Sequence, residues 1–411
     1  MPSAERLVVS LRRDETRASP ARGDRFHPLS ANALHARGCD GPKVILIIAG
    51  TRPECIKLAP IVRALTDHPE LSTVLVNSGQ HALAVRETLA EFALRSDIEL
   101  APLPCLPHLS ASHQHLRVEL RAVIQRCKPN LVIIQGDTLT AYSGARAAHD
   151  TGRALAHVEA GLRTDAILEP FPEEWFRRRI ARFAQMHFAP CRSAVENLVA
   201  EGVAESAVQH VGNTGIDSLR EFLDDPERNQ HRARRASATV LVTLHRRGNY
   251  DRNASIVCDA LIDLAAARPE LRMLFPVHPN PQVSATIRRR LGEHPSFDLV
   301  EPLPYREFVE HALHAALIIS DSGGVQEEAP HLGTPLLVPR CNTERRECLA
   351  TGFVRLVSVD RTAIVRAALD TLQAPRLRAL PIDDDAPFGA GRAALMIVSA
   401  LETMLLERAY A

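Results

Sequence analysis

The stretch VILIIAGTRPECIKLAP, residues 44–60, decides the fold. Its first five residues are Val, Ile and Leu, which is typical of a strand buried on both faces of a parallel sheet. Gly, Thr, Arg and Pro then interrupt the run, and apolar residues return with helical spacing. A buried strand therefore opens directly onto a helix, and Arg52, Glu54 and Lys57 lie at that junction.

Short apolar runs alternate in this way with longer helical segments along most of the chain. The predicted strands are 44–50, 72–79, 130–137, 154–161, 186–190 and 208–213, followed by 239–245, 272–278, 297–302, 316–323, 335–340 and 354–360. Such alternation predicts βα units and parallel sheets. The predicted fold class is α/β, with two Rossmann-like domains and an interdomain cleft.

The chain of 411 residues is too long for one ordinary core, and two domains are expected. Residues 1–42 have no periodic apolar face, and RLVVSL is too short for the apolar region of a signal peptide. The predicted segments are a disordered or non-native extension (1–42), an N-terminal Rossmann-like domain (43–219), a charged linker (220–238), a C-terminal Rossmann-like domain (239–390) and a final helix (391–411).

Composition argues against several functional classes. The 49 basic residues balance the 49 acidic residues, and only 4% of residues are aromatic, so no nucleic-acid partner is expected. No apolar run approaches the ~20 residues that span a bilayer, so no membrane partner is expected either. The eight cysteines are irregularly spaced, without a CxxC pair, which is typical of reduced thiols in a cytoplasmic protein.

Ionisable residues follow the predicted strands repeatedly, and ligands bind at the carboxyl ends of strands in open α/β sheets. They include Arg52 and Lys57, Asp137, His157 to Arg163, Glu173 and Glu174, His245 to Arg247, Asp321 to Glu328, and Glu344 to Arg346. Each has a structural alternative: Asp137 could cap a helix, and Glu159 could pair with Arg163 one turn later. Their clustering favours a ligand site.

The stretch DSGGVQEEAP, residues 321–330, predicts a phosphate site. Its two glycines permit close backbone approach, and the following helix start directs N–H groups outward. Of Glu327 and Glu328, one could be structural while the other reaches a ribose diol. No G-x-G-x-x-G or P-loop pattern occurs, so no dinucleotide cofactor is expected. The histidines of HLSASHQH, residues 108–115, are predicted to lie in a solvated loop, and no metal site is expected.

Eleven blocks resemble, in order, those of the non-hydrolysing UDP-N-acetylglucosamine 2-epimerase family. They are GTRPECIKLAP, SGQH, GDT, HVEAGLRT, PFPEE, HFAP, GNTGIDSL, TLHRR, PVHPNP, DSGGVQEEAP and TERRE, between about residues 44 and 360. The resemblance implies a glycosyltransferase-B-like fold, a UDP-sugar substrate in the interdomain cleft, a homodimer, and chemistry without a cofactor or a metal.

The resemblance also implies a mechanism, in which UDP is eliminated to give a 2-acetamidoglucal and is then added back with C2 inverted. Carboxylates would move protons, and cations would stabilise the departing diphosphate. The family's catalytic residues correspond to Asp137, Glu159, Glu173 and His245. Its substrate-binding residues correspond to Arg52, Lys57, Arg246, His278, Phe308, Ser322, Gly323, Gly324, Glu328 and Arg345.

Several blocks depart from the family pattern. HRRGN has Gly248 where the family has a carboxylate, and PEEWFRR has Trp175 and Phe176 beside Glu173. In GQHALA, Ala82 and Leu83 replace side chains that help bind a second, regulatory UDP-N-acetylglucosamine in bacterial members. These changes make a modified UDP-2-acetamido sugar an alternative substrate.

The expected function is epimerisation at C2 of a UDP-2-acetamido sugar, such as UDP-N-acetylglucosamine. One alternative is a hydrolysing 2-epimerase, which would release UDP and free N-acetylmannosamine from the same intermediate. Another is a glycosyltransferase, which would use an acceptor sugar and would not need three matching carboxylates. A non-catalytic nucleotide-sugar sensor would not need the candidate catalytic set.

Overall fold

The structure, a computed structural model, describes residues 41–164, 166, 170–224, 238–244, 250–277 and 280–406. Residues 1–40, which make up almost all of the predicted extension, lie outside this range, as do residues 225–237 of the predicted linker. Both predictions, and the domain boundaries drawn from them, therefore stay predictions.

Strands and helices alternate along the described residues, as the sequence predicts. The strands are β1 (Lys43–Ala49), β2 (Leu71–Asn77), β3 (Ile98–Glu99), β4 (Leu131–Gln135), β5 (Ala154–Val158), β6 (Met186–Ala189), β7 (Val208–His210), β8 (Thr239–Thr243), β9 (Arg272–Pro276), β10 (Phe297–Val300), β11 (Leu317–Ser320), β12 (Leu336–Pro339) and β13 (Val354–Val357). The helices are α1 (Arg52–Leu65), α2 (Ala82–Glu91), α3 (Leu109–Cys127), α4 (Leu139–Asp150), α5 (Glu173–Ile180), α6 (Arg192–Ala200), α7 (Thr214–Leu223), α8 (Tyr250–Ala267), α9 (Pro281–Leu291), α10 (Tyr305–His314), α11 (Gly323–Leu332), α12 (Arg346–Leu349), α13 (Arg361–Gln373) and α14 (Ala393–Leu405).

The first sheet has the strand order β3-β2-β1-β4-β5-β6-β7. Strand β1 pairs in parallel with β2 on one side and with β4 on the other. Its residues 45–49 are fully buried, which explains the uninterrupted apolar run at these positions. The strand order reverses between β1 and β4, and in such sheets ligands bind beyond the carboxyl ends of the strands at this switch point.

The second sheet repeats the arrangement, with the order β10-β9-β8-β11-β12-β13. Strand β8 lies between β9 and β11, and both pairings are parallel. The core around β8 is apolar and includes Val240, Val242, Met273 and Phe275. Two doubly wound parallel sheets confirm the predicted α/β class.

The chain divides into two compact units. The first comprises the described residues up to Val158, together with Arg182–Met186 and the chain from Val398 onward. The second comprises Glu159–Ala181 and His187–Ile397. Helix α14 contributes to both units, because the division falls between Ile397 and Val398.

Each part of α14 has its own polar anchor. In the second unit, both carboxylate oxygens of Asp217 accept backbone N–H groups at the start of α14, from Ala393 and Ala394. In the first unit, His68 Nε2 lies 2.8 Å from a carboxylate oxygen of Glu402. A cap supplied from a distant helix satisfies N–H groups that a helix start leaves without intrahelical partners.

Differences from the sequence prediction concern boundaries and short elements. The strands end up to three residues earlier than predicted, because the residues after them form the turns. The two-residue strand β3 has too little apolar pattern to be found. Helix α3 begins at Leu109, so His113 and His115 are helical and not in the predicted loop. Helix α7 extends to Leu223, into the stretch predicted as linker.

Candidate active site

The turns that follow β1 and β4 meet at the switch point of the first sheet, and a buried carboxyl joins them. One oxygen of Glu54 accepts the backbone N–H of Gly50 at 3.0 Å, and the other accepts the hydroxyl of Thr138 at 2.8 Å. Thr138 is the N-cap of α4, where its hydroxyl oxygen accepts the N–H of Ala141. Burial raises the pKa of Glu54 to about 7, although these hydrogen bonds lower it in part.

Three predicted site residues of the first unit lie at these two turns or on the helix that follows the first of them. Arg52 is the half-buried first residue of α1, and Lys57 is buried on the same helix, with 6% of its surface exposed. Asp137 is half-buried between β4 and the N-cap of α4. The capping role that was the structural alternative for Asp137 belongs to its neighbour, Thr138.

In the second unit, Glu159 directly follows β5 and has a left-handed backbone, with φ of 64°. Such a conformation is uncommon for a residue with a side chain, and it concentrates at functional sites. Arg345 Nη2 donates to one carboxylate oxygen at 3.1 Å, and Asn213 Nδ2 donates to the other at 3.3 Å. The backbone and both oxygens of Glu159 are therefore held by other parts of the unit.

Arg345 contacts carboxylates through all three of its nitrogens. Besides Glu159, it donates from Nε to Glu327 at 2.6 Å and from Nη1 to Glu344 at 2.5 Å. Burial alone would lower the pKa of Arg345, but the three glutamates raise it well above its usual value. The guanidinium packs so closely on Gly323 that a β-carbon there would lie 2.4 Å from its Cζ.

These contacts belong to a larger group, which we call the glutamate–arginine cluster. Arg177 joins Glu344 to Glu174, and Arg340 also pairs with Glu344. Arg178 then joins Glu174 to Glu201. The members in the described residues are Glu159, Glu174, Glu201, Glu327, Glu344, Arg163, Arg177, Arg178, Arg340 and Arg345. Five carboxylates and five guanidinium groups balance, so the buried charge is compensated within the cluster.

The start of α11 carries the predicted phosphate loop. Ser322 is the N-cap, and Gly323 and Gly324 begin the helix beside the switch point between β8 and β11. The two following glutamates have separate partners: Glu327 pairs with Arg345, whereas Glu328 accepts the hydroxyl of Tyr305 at 2.9 Å. Glu327 therefore belongs to the glutamate–arginine cluster, whereas Glu328 is held by a tyrosine outside it.

Other predicted site residues are placed as follows. Glu173 is the half-buried first residue of α5, next to cluster member Glu174, and Phe308 is half-buried on α10. The proposed pairing of Glu159 with Arg163 is wrong, because the guanidinium of Arg163 forms a two-pronged contact with Glu201 at 2.7 and 2.8 Å. Three predicted residues lie outside the described residues: His245, Arg246 and His278.

Sequence reasoning missed three residues that shape the site. Asn213 caps α7 and also reaches Glu159; its place in the GNTG block was the available signal. Tyr305 is buried and donates to Glu328, but it lies between the quoted blocks. Arg177 links Glu174 to Glu344, which lie 170 positions apart in the sequence. A contact over that separation cannot be predicted from a local sequence pattern.

Two kinds of feature are absent from the described residues. No group of three or more His, Cys, Asp or Glu residues there is arranged to hold a metal ion. No helix in that part of the chain combines the length and the apolar character needed to cross a membrane.

Comparison with known proteins gives a consistent result. A family model described as UDP-N-acetylglucosamine 2-epimerase matches residues 63–402, which reach from α1 to α14. The chain is 35% identical over 369 residues to the UDP-N-acetylglucosamine 2-epimerase of Escherichia coli strain K12, covering 87% of this chain and 98% of that protein. The Campylobacter jejuni protein of the same name is 34% identical, with 87% and 97% covered.

Solved structures extend the similarity to three dimensions. A UDP-GlcNAc 2-epimerase from Neisseria meningitidis, bound to UDP-GlcNAc, is 32% identical with a TM-score of 0.80, covering 87% of this chain and 99% of that one. The S. aureus protein MnaA, solved with UDP, is 34% identical with a TM-score of 0.81, covering 88% and 97%.

Proposed function

Because this chain belongs to the UDP-N-acetylglucosamine 2-epimerase family, we propose that it inverts C2 of a UDP-2-acetamido sugar, with UDP-N-acetylglucosamine as the first candidate. The observation that carries the proposal is Glu159, a carboxylate at a strand end with a left-handed backbone and with both oxygens held. Its position in HVEAGLRT matches a catalytic carboxylate of the family. A carboxylate fixed in this way suits proton transfer at a defined carbon.

The proposed reaction has two halves. In the first, a carboxylate accepts the proton of C2 while the bond between C1 and the UDP oxygen breaks, giving a 2-acetamidoglucal and UDP. In the second, the UDP oxygen adds back to C1, and a second protonated group delivers a proton to the opposite face of C2. Because C1 bears no carbonyl, C2 cannot exchange its proton directly, and this is why elimination is needed.

We assign the proton transfers to Asp137, Glu159 and Glu173, with His245 near the diphosphate. Arg52 and Lys57 would stabilise the charge on departing UDP. Ser322, Gly323 and Gly324 would offer backbone N–H groups to phosphate. In this proposal Glu328, held by Tyr305, accepts from the ribose diol, and the remaining predicted substrate contacts are Arg246, His278 and Phe308.

Arg345 takes a more specific role than its sequence block suggested. The sequence assigns it to the ligand side as a cation, but its guanidinium donates to Glu159, Glu327 and Glu344. We therefore propose that Arg345 acts on the reaction through Glu159, as a positioning residue. The same proposal includes a homodimer and a cytoplasmic location, and the oligomeric state can be checked by light scattering during gel filtration.

The test is incubation of the protein with UDP-N-acetylglucosamine in deuterated water, followed by NMR. We expect deuterium at C2 in sugar that still carries UDP, together with its C2 epimer. Release of free N-acetylmannosamine would instead support the hydrolysing alternative. Absence of C2 exchange and of UDP release with this sugar, but turnover of a diacetamido-uronate analogue, would overturn the first-candidate substrate. The Glu159→Gln variant serves as the control for background exchange.

A further inference from the structure

We propose that Glu54 is a positioning residue for the site, because its buried carboxyl ties the turn that carries Arg52 to the turn that carries Asp137. This inference rests on the proposed function, which assigns Arg52 to the diphosphate and Asp137 to proton transfer. No role of Glu54 in the reaction itself is required. The residue acts by holding two strand ends at a fixed separation.

The first support is the reach of the side chain. Glu54 lies in the first turn of α1, where a carboxylate is favoured by the helix dipole alone. That role does not require a partner, yet the two oxygens bond to the end of β1 and to the cap of α4. Thr138 lies 84 positions later in the chain. The contact therefore connects two elements that the sequence keeps apart.

The second support is close packing at Gly50, where three strand ends converge. A β-carbon at Gly50 would lie 1.9 Å from the hydroxyl of Thr140 and 2.4 Å from that of Ser78. Those two hydroxyls bond to each other at 2.7 Å, and Gln80 accepts both the N–H and the hydroxyl of Thr140. With so little free space, a shift of either turn has to move the other.

The third support is burial. Glu54 has no exposed surface, so a broken hydrogen bond could not be replaced by one to bulk water. The N–H of Gly50 is in a buried bond as well. Loss of the carboxyl would leave a buried donor without its acceptor, and the turn would have to rearrange to satisfy it. A contact of this kind specifies one arrangement of the two turns.

The experiment is a double-mutant cycle on the full chain. Glu54→Gln keeps the shape but replaces one acceptor oxygen with a donor, and Thr138→Val removes the hydroxyl. We expect each to lower kcat for UDP-N-acetylglucosamine at least about tenfold, with KM within about twofold. Because both remove the same contact, the double variant should lose little more than either single variant. Thr138→Ser, which keeps the hydroxyl, should recover most of the rate.

Asp97→Asn is the matched control. Asp97 is more exposed than Glu54, but its carboxyl also accepts a backbone N–H of the first sheet (that of Leu75), and desolvation also raises its pKa. That contact involves neither turn, so kcat of the Asp97→Asn variant should stay within about twofold of the parent value. Thermal midpoints of all variants should agree within about 4 °C, which separates positioning from loss of the fold.

A second measurement does not depend on turnover. Amide hydrogen exchange of Glu54→Ala should rise at least about tenfold in both turns, residues 49–55 and 136–142, and should stay at the parent level in Asp97→Asn. Faster exchange in only one turn, or multiplicative losses of kcat in the double variant, would overturn the inference. If the parent protein does not turn over the sugar, but both turns exchange faster in Glu54→Ala, the proposed function is wrong. The inference that Glu54 connects the two turns is then still supported.

Discussion

The guanidinium of Arg345 donates to the carboxylate of Glu159 at 3.1 Å, across 186 positions of sequence. Glu159 is the candidate catalytic residue with the left-handed backbone, and Arg345 also donates to Glu327 and Glu344. One planar fork therefore connects a strand end, the start of α11 and the TERRE stretch. Such a fork fixes direction as well as distance, which a single ammonium group cannot do.

Arg345→Lys tests this connection. Lysine keeps the charge but cannot donate along three fixed directions, so we expect turnover to fall about 10- to 100-fold through misplacement of Glu159. The free energy of unfolding should fall by about 1–3 kcal/mol, because buried carboxylates lose donors. Initial rates and urea unfolding measure the two effects. Arg361→Lys, in a largely exposed two-pronged pair with Asp263, is the control, and it should change neither quantity.

Removal of single carboxylates tests the proton-transfer assignment. Asp137→Asn and Glu159→Gln keep the shape of each side chain but cannot exchange a proton, so each should lower turnover at least about 100-fold. Loss of deuterium incorporation at C2 should accompany the loss of rate. Asp298→Asn removes only an exposed pair with Arg272 and should leave the rate unchanged. Parent-like rates in both active-site variants would contradict the assigned roles.

The raised pKa of Glu54 predicts a pH dependence of stability. Its pKa is about 7 in the folded protein against 4.5 for an ordinary glutamate, because burial disfavours the charged form. As pH rises from 4.5, the unfolded chain ionises first, so this group's contribution to stability falls until pH 7 and is constant above it. The shift corresponds to about 3 kcal/mol.

Urea unfolding of the parent and of Glu54→Gln between pH 4 and pH 8 measures this contribution. Glutamine does not titrate, so the parent's unfolding free energy minus that of the variant should decrease by about 3 kcal/mol over this range. Titration of all other groups is common to both proteins and cancels in the difference. A difference that is independent of pH would show that Glu54 does not titrate in this window.

Two adjacent glycines provide a matched pair at the start of α11. A β-carbon at Gly323 would lie within 2.7 Å of three guanidinium atoms of Arg345, whereas one at Gly324 would have no atom within 4 Å. Gly323→Ala should therefore destabilise the protein by about 1–3 kcal/mol, because Arg345 cannot move without leaving its glutamates. Gly324→Ala should be neutral or slightly stabilising, as alanine favours a helix. Thermal unfolding distinguishes the two, and equal midpoints would contradict the packing argument.

The sequence predicts the architecture well because every strand except β3 carries its own signal. The apolar run of β1 and its abrupt end at Gly50 are local features, and a helix pattern follows immediately. The partners of the site residues are not local. Arg163 was a plausible partner of Glu159 at helical spacing, but no helix forms between them, and Glu201 pairs with Arg163 instead. Periodicity describes neighbours along one element, whereas this pairing depends on tertiary packing.

The site prediction shows the same limit. The block EE at 327–328 does not show which glutamate contacts which partner, whereas the folded chain pairs Glu327 with Arg345 and Glu328 with Tyr305. Tyr305, which holds Glu328, has no charged signal that would mark it in the sequence. Charged residues at strand ends were therefore easier to single out as candidates than the partners that hold them.

The glutamate–arginine cluster limits which substitutions this sequence can accept during evolution. Loss of a buried member, such as Arg177, Glu174 or Glu344, leaves an uncompensated charge in a buried setting, so a single substitution there should be selected against even where it touches no substrate. We expect natural variants of this chain to replace cluster members in opposite-charge pairs or not at all. Retention of all the cluster residues should therefore be a better indicator that two sequences share this arrangement of ion pairs than their overall percentage identity is.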